Sequence, residues 1–481
     1  MIDLDKVIIL DIETMKNMFC VCVKNYKTKE KKEFIFFDDD EYLTHPSLLN
    51  NFLVGCRKHE YHIVTFNGIS FDSQVLDCFL DVYKNEKETL SISTLIKVMY
   101  AKAQELISAQ QGHYIETKPE YKLFNKQIDL FRQKNYGNKA RITSLKWLQF
   151  SMRLPNIQEM PIHHGSDIKK EDIPKILEYC WNDVNSTETF YDKIMFETTL
   201  RKSLSEEYSL SLMSASEPKL VKSILGKFLM EELEIPRKEL MELRTHRDEI
   251  DFNNIIFPYI KFHTPVFQKV FEDIKKVKID VNHASFTYSF KYKGCKIDLG
   301  LGGAHAANMP GLYEEDNEWE ILDADCKSFY PNLAIRNGLQ PSQFDRYEKT
   351  KDSTSKRKAF LSIYENIYNE RVNFDKKDPR NYIYKLLLNS TYGLSKEANN
   401  FLYDPLYTYT TTINGELTIL MLTEMLCEYV KDCELIQINT DGITIRYKRE
   451  YGDRVKKILS KFEDATDQVV ETAFYSKFIL R

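Results

Sequence analysis

Two carboxylates near the start of the chain share one face of an apolar segment. Asp11 and Glu13 lie two residues apart in Val-Ile-Ile-Leu-Asp-Ile-Glu-Thr, residues 7–14. Because side chains alternate across a strand, a strand here presents both carboxylates on the same side. Two such groups repel unless a proton or a cation lies between them, and a divalent metal is the usual partner. A strand with a solvated acidic face explains this segment alone equally well.

Two further aspartates stand where apolar segments end. Asp325 follows Ile-Leu-Asp-Ala and precedes a turn expected at Pro331, while Asp441 and Gly442 separate two alternating segments. An Asp-Gly pair flanked by alternation predicts a β-hairpin with an acidic tip. Both aspartates suit a metal ligand, although an aspartate at the end of a strand is also a common turn former.

A third pattern, Lys-x-x-x-Asn-Ser-x-Tyr-Gly, occupies residues 385–393. Helical periodicity places Lys385, Asn389 and Tyr392 on one side of a helix. A solvated helix face would account for the lysine by itself.

Length and composition limit the possible classes of protein. The chain has 481 residues, which predicts two to three domains. It has no apolar run of about 18 residues and no signal peptide, so we expect a cytoplasmic protein, in the host cytoplasm if it is viral. Its net charge of −5 neither favours nor excludes a nucleic-acid binder, because carboxylates can hold metals while lysines line a channel. Nine irregularly spaced cysteines predict free thiols rather than disulfides or a zinc site.

The three later segments, in this order, resemble motifs A, B and C of family B DNA polymerases. Residues 325–331 resemble motif A, residues 385–393 motif B, and Asn439-Thr440-Asp441 motif C. The resemblance implies a palm in which Asp325 and Asp441 bridge two Mg²⁺ (or Mn²⁺) ions. Motif C departs from the usual Asp-Thr-Asp at its first acid. We expect activity to survive, because the second aspartate bridges the metals in that family.

The same resemblance implies a set of nucleotide contacts. Lys385 would bind the triphosphate, with Arg371 as a second basic residue, although neither Lys376 nor Lys377 falls four residues on as in the family's Arg-x-x-x-Lys. Tyr330 would stack under the sugar and exclude a 2′-hydroxyl. The whole implied set is Ser328, Tyr330, Arg371, Lys385, Asn389 and Tyr392.

Three short patterns in the first half resemble the proofreading exonuclease motifs of DNA polymerases. They are Asp-x-Glu at 11–13, Asn-x-x-x-Phe-Asp at 67–72 and Tyr-x-x-x-Asp at 179–183. The resemblance implies that Asp11, Glu13, Asp72 and Asp183 hold two divalent metal ions, and that Tyr179 orients the attacking water. A helix N-cap is the alternative role for Asp72.

Contacts to DNA are implied at the remaining motif positions. Ser144-Leu145 is similar to an element that contacts single-stranded DNA, and Gly302-Gly303 to a Tyr-x-Gly-Gly element that lets template backbone approach. The tyrosine of that element is absent here, and a plain glycine turn is the alternative. Lys477 is similar to the start of a primer-contacting Lys-x-Tyr element. The implied set is Asn67, Phe71, Ser144, Leu145, Gly302, Gly303, Gly393 and Lys477.

We therefore expect an α/β and α+β multidomain fold with a ribonuclease H-like exonuclease domain followed by a right-hand polymerase. The predicted parts are exonuclease, 1–200; helical linker and start of the palm, 201–294; palm with motif A, 295–340; helical fingers with motif B, 341–401; and palm with motif C, 402–481. Residues 86–126 are interpreted as a polar helical insertion, and their sequence predicts no particular function. An apolar strand at 478–480 would leave its edge unpaired, which predicts an absent or incomplete thumb and a split gene or shortened chain.

The predicted function is a DNA-directed DNA polymerase with 3′–5′ proofreading, of the phage or mobile-element type. Its expected partners are primer-template DNA and deoxynucleotides, a thumb polypeptide if the gene is split, and a terminal protein if synthesis starts from a protein hydroxyl; no membrane is expected. One alternative is a 3′–5′ exonuclease whose polymerase half only binds DNA, which Asn439 and the short C-terminal segment after Asp441 favour. The other is an inactive subunit that holds a partner polymerase, although a scaffold does not need acids in both sites.

Overall fold

The chain forms two compact units, residues 1–223 and 224–481. The structure, a computed structural model, describes residues 2–37, 44–86, 90–110, 116–134, 143–352 and 355–481. Each unit has a hydrophobic core of its own. The prediction of a mixed α/β multidomain chain is confirmed, whereas the finer domain boundaries and names stay predictions. No helix in these described ranges is long and apolar enough to cross a membrane.

Unit 1 is built on a five-stranded sheet with the order β3-β2-β1-β4-β5. The first three strands in the chain form an antiparallel meander, and β4 and β5 run parallel to β1. The strands are β1 (Val7–Met15), β2 (Met18–Asn25), β3 (Lys31–Phe37), β4 (His62–Thr65) and β5 (Lys126–Asp129).

Helices cover both faces of this sheet, because its strands are buried almost throughout. They are α1 (Pro46–Lys58), α2 (Asp72–Glu86), α3 (Ile92–Gln110), α4 (Leu130–Lys134), α5 (Leu145–Ser151), α6 (Ile173–Lys193) and α7 (Met195–Glu207). The helix α8 (Glu217–Leu233) runs from unit 1 into unit 2. The interpretation of 86–126 as a polar insertion is wrong for α3, which buries Leu95, Met99 and Leu106 in the core. Residues 87–89 and 111–115 of that segment lie outside the described residues.

Unit 2 contains a seven-stranded antiparallel sheet with the order β17-β12-β16-β15-β10-β9-β8. Three two-stranded sheets, β6-β7, β11-β18 and β13-β14, accompany it. The strands are β6 (Glu249–Asp251), β7 (Lys278–Asp280), β8 (Thr287–Tyr292), β9 (Cys295–Gly300), β10 (His305–Ala307), β11 (Gly311–Glu314), β12 (Trp319–Cys326), β13 (Glu348–Asp352), β14 (Ser355–Lys358), β15 (Glu434–Asn439), β16 (Gly442–Lys448), β17 (Val470–Tyr475) and β18 (Lys477–Leu480).

One long helix forms the centre of unit 2. α14 (Pro405–Tyr429) is buried on nearly all sides, because apolar, threonine and tyrosine residues occur around its whole circumference; it also buries two glutamates, Glu416 and Glu424. The other helices are α9 (Arg237–Glu242), α10 (Pro265–Lys275), α11 (Phe329–Arg336), α12 (Ala359–Val372), α13 (Pro379–Leu394) and α15 (Gly452–Thr466). α12 and α13 pack side by side, and α11 packs on α14.

Two local expectations are corrected by these elements. The chain turns before Pro331, at Ser328, which has φ +46°, and Pro331 lies in the first turn of α11, where a missing N–H costs nothing. The terminal strand β18 is not unpaired, because it pairs antiparallel with β11 from Gly311 to Glu314.

Candidate metal cluster and nucleotide cleft

Three carboxylates meet above the centre of the unit 1 sheet. One oxygen each of Asp11, Glu13 and Asp183 lies within 4.8 Å of the others. Asp11 and Glu13 share a face of β1, as the strand period predicts, and α6 brings Asp183 over that face. We call these residues, with the adjacent Asp72, the Asp11 cluster.

Asp72 enters the cluster from the start of α2, close enough to raise the pKa of Asp11. The turn before it is fixed by Asp129 at the end of β5, which accepts hydrogen bonds from the N–H groups of Asn67 (3.0 Å) and Ile69 (3.1 Å). Asn67 has φ +66°, a conformation that asparagine tolerates better than most residues. The buried Asp129 therefore positions the turn that leads to Asp72, and its charge also contributes to the raised pKa of Asp72.

Asp183 is held by two side chains. The Gln149 amide donates to its Oδ1 at 3.0 Å, and the Tyr179 hydroxyl, one helical turn earlier on α6, also bonds to it. Tyr179 and Asp183 thus share a face as predicted. Gln149 was not identified from the sequence; its position five residues after Ser144 carries no recognisable motif.

The environment of the Asp11 cluster opposes ionisation. Burial, followed by repulsion from Asp72, Glu13 and Asp183, raises the pKa of Asp11 far above its ordinary range, although the Cys180 thiol opposes this by donating to Oδ2 at 3.5 Å. Burial also raises the pKa of Asp72 to about 7 and that of Asp183 to about 6. Carboxylates crowded in this way either keep protons or take a cation.

The donor set fits a divalent metal ion. Oxygen ligands in a compact acidic group are what Mg²⁺ and Mn²⁺ prefer, and an ion there would relieve the repulsion that raises these pKa values. Asp11, Glu13 and Asp183 would hold it directly. Asp72 would complete the site from the start of α2.

In unit 1, the residues predicted to contact DNA have structural roles of their own. Ser144 caps α5 by accepting the Trp147 N–H at 3.2 Å, and Leu145 is the first residue of that helix. Since α5 also carries Gln149, this element orients Asp183. Phe71 is half-buried against the core. Their contact with DNA stays a prediction.

Unit 2 has an open cleft of about 740 Å³ that gathers the predicted polymerase residues. Five separate segments line it: the end of β12 with the start of α11, the end of α12 with the following loop, α13, the turn between β15 and β16, and the start of β17. Its lining includes Asp325, Ser328, Tyr330, Arg371, Lys385, Asn389, Tyr392 and Asp441. We call it the Asp325 cleft.

The two cleft aspartates are joined through the sheet. Asp325 pairs in register with Gly442, and the Cys326 N–H donates to the Asp441 carbonyl at 2.8 Å. A Cβ at position 442 would lie 1.9 Å from Asp325 Oδ1, so only glycine permits this pairing. The predicted hairpin with Asp441 at its tip is confirmed.

A negative field surrounds Asp325. Although the residue is exposed to the cleft, partial desolvation of its carboxyl raises its pKa to about 6, with further repulsion from Asp323, Asp441 and Glu471. Glu471 lies opposite Asp325 on β17 and forms an ion pair with Lys327 at 3.5 Å. Sequence reasoning did not identify Glu471, because only strand register brings it here. Asp323 also accepts from Thr444 at 2.6 Å, so it is already engaged.

Basic and aromatic side chains form the opposite wall. Lys385, Asn389 and Tyr392 of α13 all face the cleft, as the helical spacing predicts. Arg371 donates to Ser328 Oγ at 2.9 Å, which ties α12 to the turn after β12. Tyr330 contacts Tyr392 with ring centroids 4.7 Å apart.

The glycines and Lys477 complete the predicted set. Gly303 has φ +147°, and a Cβ there would lie 2.7 Å from Thr440, so its close approach is to the chain's own hairpin turn. Gly302 and Gly393 face open space. Lys477 forms an ion pair with Glu314 at 2.6 Å. The structure does not bring Lys477 into the lining of the Asp325 cleft.

Thus each unit carries its own acidic site. No model of a known protein family and no curated protein matches this chain. Among solved structures, it is similar to the family B DNA polymerase from the hyperthermophilic archaeon Pyrobaculum calidifontis, with 14% identity and a TM-score of 0.49. The similarity covers 98% of this chain, which spans 57% of the length of that polymerase. Similarity at this level decides nothing about activity, so the proposal below depends on the chain's own residues.

Proposed function

We propose that this chain is a DNA-directed DNA polymerase of the family B kind with a 3′–5′ exonuclease site. The observation that carries the proposal is the Asp325 cleft, which collects residues of three separate sequence motifs around one space of nucleotide size. A chance arrangement of these motifs would not place Asp325, Lys385 and Asp441 on one cavity.

The cleft residues divide into three roles. Lys385 and Arg371 supply positive charge for a triphosphate, and Tyr330 and Tyr392 supply apolar surface for the sugar and base. Asp325 and Asp441 would hold divalent metal ions near the primer end. The exposed pair of aspartates leaves coordination positions for the phosphates of the incoming nucleotide.

In unit 1 the Asp11 cluster would act on a primer 3′ end. Tyr179 and Gln149 hold Asp183 in place, and the Tyr179 hydroxyl would orient a water. Divalent metal ions bound at the two sites would activate the attacking oxygen and neutralise charge that develops on the phosphate.

A second function is favoured by one observation. Asn439 stands where the related motif has an acid, and in the described residues only the Asp11 cluster brings three carboxylates within 4.8 Å. The chain would then be a 3′–5′ exonuclease whose second unit binds DNA without catalysis. Three finer parts stay predictions: the phage or mobile-element source, a separate thumb polypeptide and a terminal protein as primer.

One labelled primer annealed to a longer template tests both sites. With Mg²⁺ and deoxynucleotides we expect the primer to lengthen, and without deoxynucleotides to shorten. Shortening without any lengthening would support the exonuclease alternative. If the primer neither lengthens nor shortens in Mg²⁺ or in Mn²⁺, the proposal is contradicted.

A further inference from the structure

A carboxyl group is buried in the core of unit 2 and belongs to neither acidic site. Glu416, in the middle of α14, is 1% exposed. Burial raises its pKa to about 8, opposed by hydrogen bonds from the N–H groups of Gly300 and Gly303. Its Oε1 accepts from Gly300 at 3.1 Å. Burying a carboxyl group costs free energy unless hydrogen bonds compensate for the loss of water. The groups that form those hydrogen bonds therefore indicate which part of the chain the carboxyl positions.

The segment that Glu416 holds reaches the Asp325 cleft. Within residues 300–303, the Gly302 carbonyl accepts a hydrogen bond from the Tyr330 hydroxyl at 3.2 Å. Gly303 packs against Thr440, directly before Asp441. Glu416 is therefore connected to Tyr330 through one short glycine-rich segment.

The neighbouring residue of α14 fixes the ring of Tyr330. A Cβ at Gly415 would lie 2.6 Å from Cε1 of Tyr330, so the ring packs directly on the helix backbone. One turn of α14 thus determines where both the ring and the hydroxyl of Tyr330 lie. The Glu416 carboxyl also contributes to the raised pKa of Tyr330, after burial and Tyr392.

We propose that Gly415 and Glu416 position Tyr330 and so determine how strictly the cleft excludes a ribose 2′-hydroxyl. The inference rests on the proposed polymerase function and on Tyr330 as the residue beneath the sugar. Glu416 does not touch the nucleotide; it is a positioning residue that acts through Gly300, Gly302 and Gly303. A shift of Tyr330 by a fraction of an ångström would change the space available at the 2′ position.

The same helix offers a matched control. Glu424 is also fully buried on α14, but it accepts the N–H groups of His263 and Thr264 and so holds the segment just before α10. Removing Glu424 takes away a buried carboxyl that accepts comparable backbone hydrogen bonds. Unlike Glu416, it holds no segment that contacts Tyr330. A purely structural role for Glu416 predicts the same behaviour for both residues.

The experiment measures kcat and KM for single additions of a deoxynucleotide and its ribonucleotide. Glu416→Gln keeps the accepting oxygen and matches the protonated carboxyl, so discrimination should stay within about threefold of the unaltered chain. Glu416→Ala should improve ribonucleotide use by about tenfold, mainly through KM. Glu424→Ala should lower the unfolding temperature and leave the discrimination ratio unchanged.

Gly415→Ala provides a test that does not remove Glu416. The added methyl displaces the ring of Tyr330, and KM for the deoxynucleotide should rise about fivefold or more. If Glu416→Ala does not fold, this variant decides the question.

Each contrary result has a distinct meaning. A folded Glu416→Ala with unchanged discrimination would overturn the positioning role and leave the polymerase proposal intact, as would an unchanged KM in Gly415→Ala. Equal relaxation in Glu416→Ala and Glu424→Ala would indicate general loosening and also overturn it. Absence of primer extension by the unaltered chain would instead overturn the proposed function, and this inference with it.

Discussion

The Asp11 cluster and the Asp325 cleft use the same kind of side chain in opposite ways. In the cluster, three carboxylates approach within 4.8 Å in surroundings that raise every one of their pKa values. In the cleft, Asp325 and Asp441 are exposed, and basic residues of α12 and α13 face them across an open space. The cluster by itself supplies nearly all the carboxylate ligands that a metal ion would need. The cleft supplies only some of them.

That difference matches the chemistry proposed for each site. Mg²⁺ is usually bound by one or two carboxylates together with substrate phosphates and water. A site that must admit a triphosphate therefore needs few acids and nearby cations, as in the cleft. A site that acts on a single phosphodiester receives less charge from its substrate and needs more carboxylates of its own, as in the cluster.

The largest effect on rate is expected from removing an acidic residue from the Asp325 cleft, which has few of them. Asp441→Ala should reduce nucleotide addition by at least about a thousandfold, because the cleft has one other predicted metal-bridging acid, Asp325. Primer shortening should continue at its normal rate, since the cluster belongs to a separate compact unit. Gel analysis of one labelled primer measures both rates. Loss of both activities in this variant would contradict the conclusion that the two sites act independently.

The reciprocal change should affect only the cluster. Asp11→Ala combined with Glu13→Ala should lower primer shortening by about a thousandfold, with extension preserved. The variant chain should also be no less stable at pH 8 without metal, because it loses two mutually repelling carboxylates. Continued shortening of single-stranded primer would mean that the nuclease site lies elsewhere.

Specificity in the cleft should depend on an aromatic ring. Tyr330→Ala should improve the use of ribonucleotides by about a hundredfold, because the ring would no longer occupy the space beside the sugar. Tyr392→Ala is the control, since that ring contacts Tyr330 but has no predicted role at the 2′ position. If both variants relaxed the discrimination between ribonucleotides and deoxynucleotides equally, Tyr330 would have no special role at the 2′ position.

The cluster should also make stability depend on pH and metal. Asp72 and Asp183 have pKa values of about 7 and 6 in the folded chain, above the ordinary 3.8. The folded state therefore binds more protons than the unfolded state, and metal-free stability should fall as pH rises from about 4 to 7, by up to about 1 kcal/mol per pH unit for each group. Mg²⁺ should reduce this loss.

Thermal unfolding at pH 5, 6, 7 and 8, with a chelator and with Mg²⁺, measures the effect. Asp72→Asn is the control, because it cannot ionise and should flatten the pH dependence of the metal-free chain. Metal-free stability that rose between pH 5 and pH 7, relative to this variant, would contradict the electrostatic account.

The sequence predicted local geometry well where periodicity determines it. The shared face of Asp11 and Glu13, the common face of Lys385, Asn389 and Tyr392, and the hairpin at Asp441 all follow from strand and helix periods. Contacts between distant segments could not be predicted in this way. Glu471 reaches Asp325 only through the pairing of β12 with β17, and Gln149 reaches Asp183 only through the packing of α5 on α6.

The α3 error has a related cause. Residues 86–126 look polar when they are averaged as one segment, although α3 within it has only three charged residues and an apolar stripe that joins the core of unit 1. The pairing of β18 with β11 likewise depends on a strand more than 160 residues earlier. The apolar stripe of α3 is visible when its helical period is followed, whereas the strand pairing leaves no local signal in the sequence.

The smallest expected effect concerns Asn439, the position where the cleft lacks an acid. Its side chain accepts the N–H of Thr440 at 3.0 Å, so it shapes the turn that presents Asp441. An aspartate would accept the same hydrogen bond, because its oxygens replace the amide oxygen. It would also add negative charge at the residue paired with Gly442, two strands from Asp325, whose pKa is already raised to about 6. Asn439→Asp should therefore change the rate of nucleotide addition by less than about tenfold and shift its dependence on Mg²⁺ or Mn²⁺ concentration. Primer extension across a metal titration measures both quantities. A change as large as that of Asp441→Ala would mean that position 439 itself contacts the metal, and the cleft would then resemble the cluster in using its own acids to complete the site.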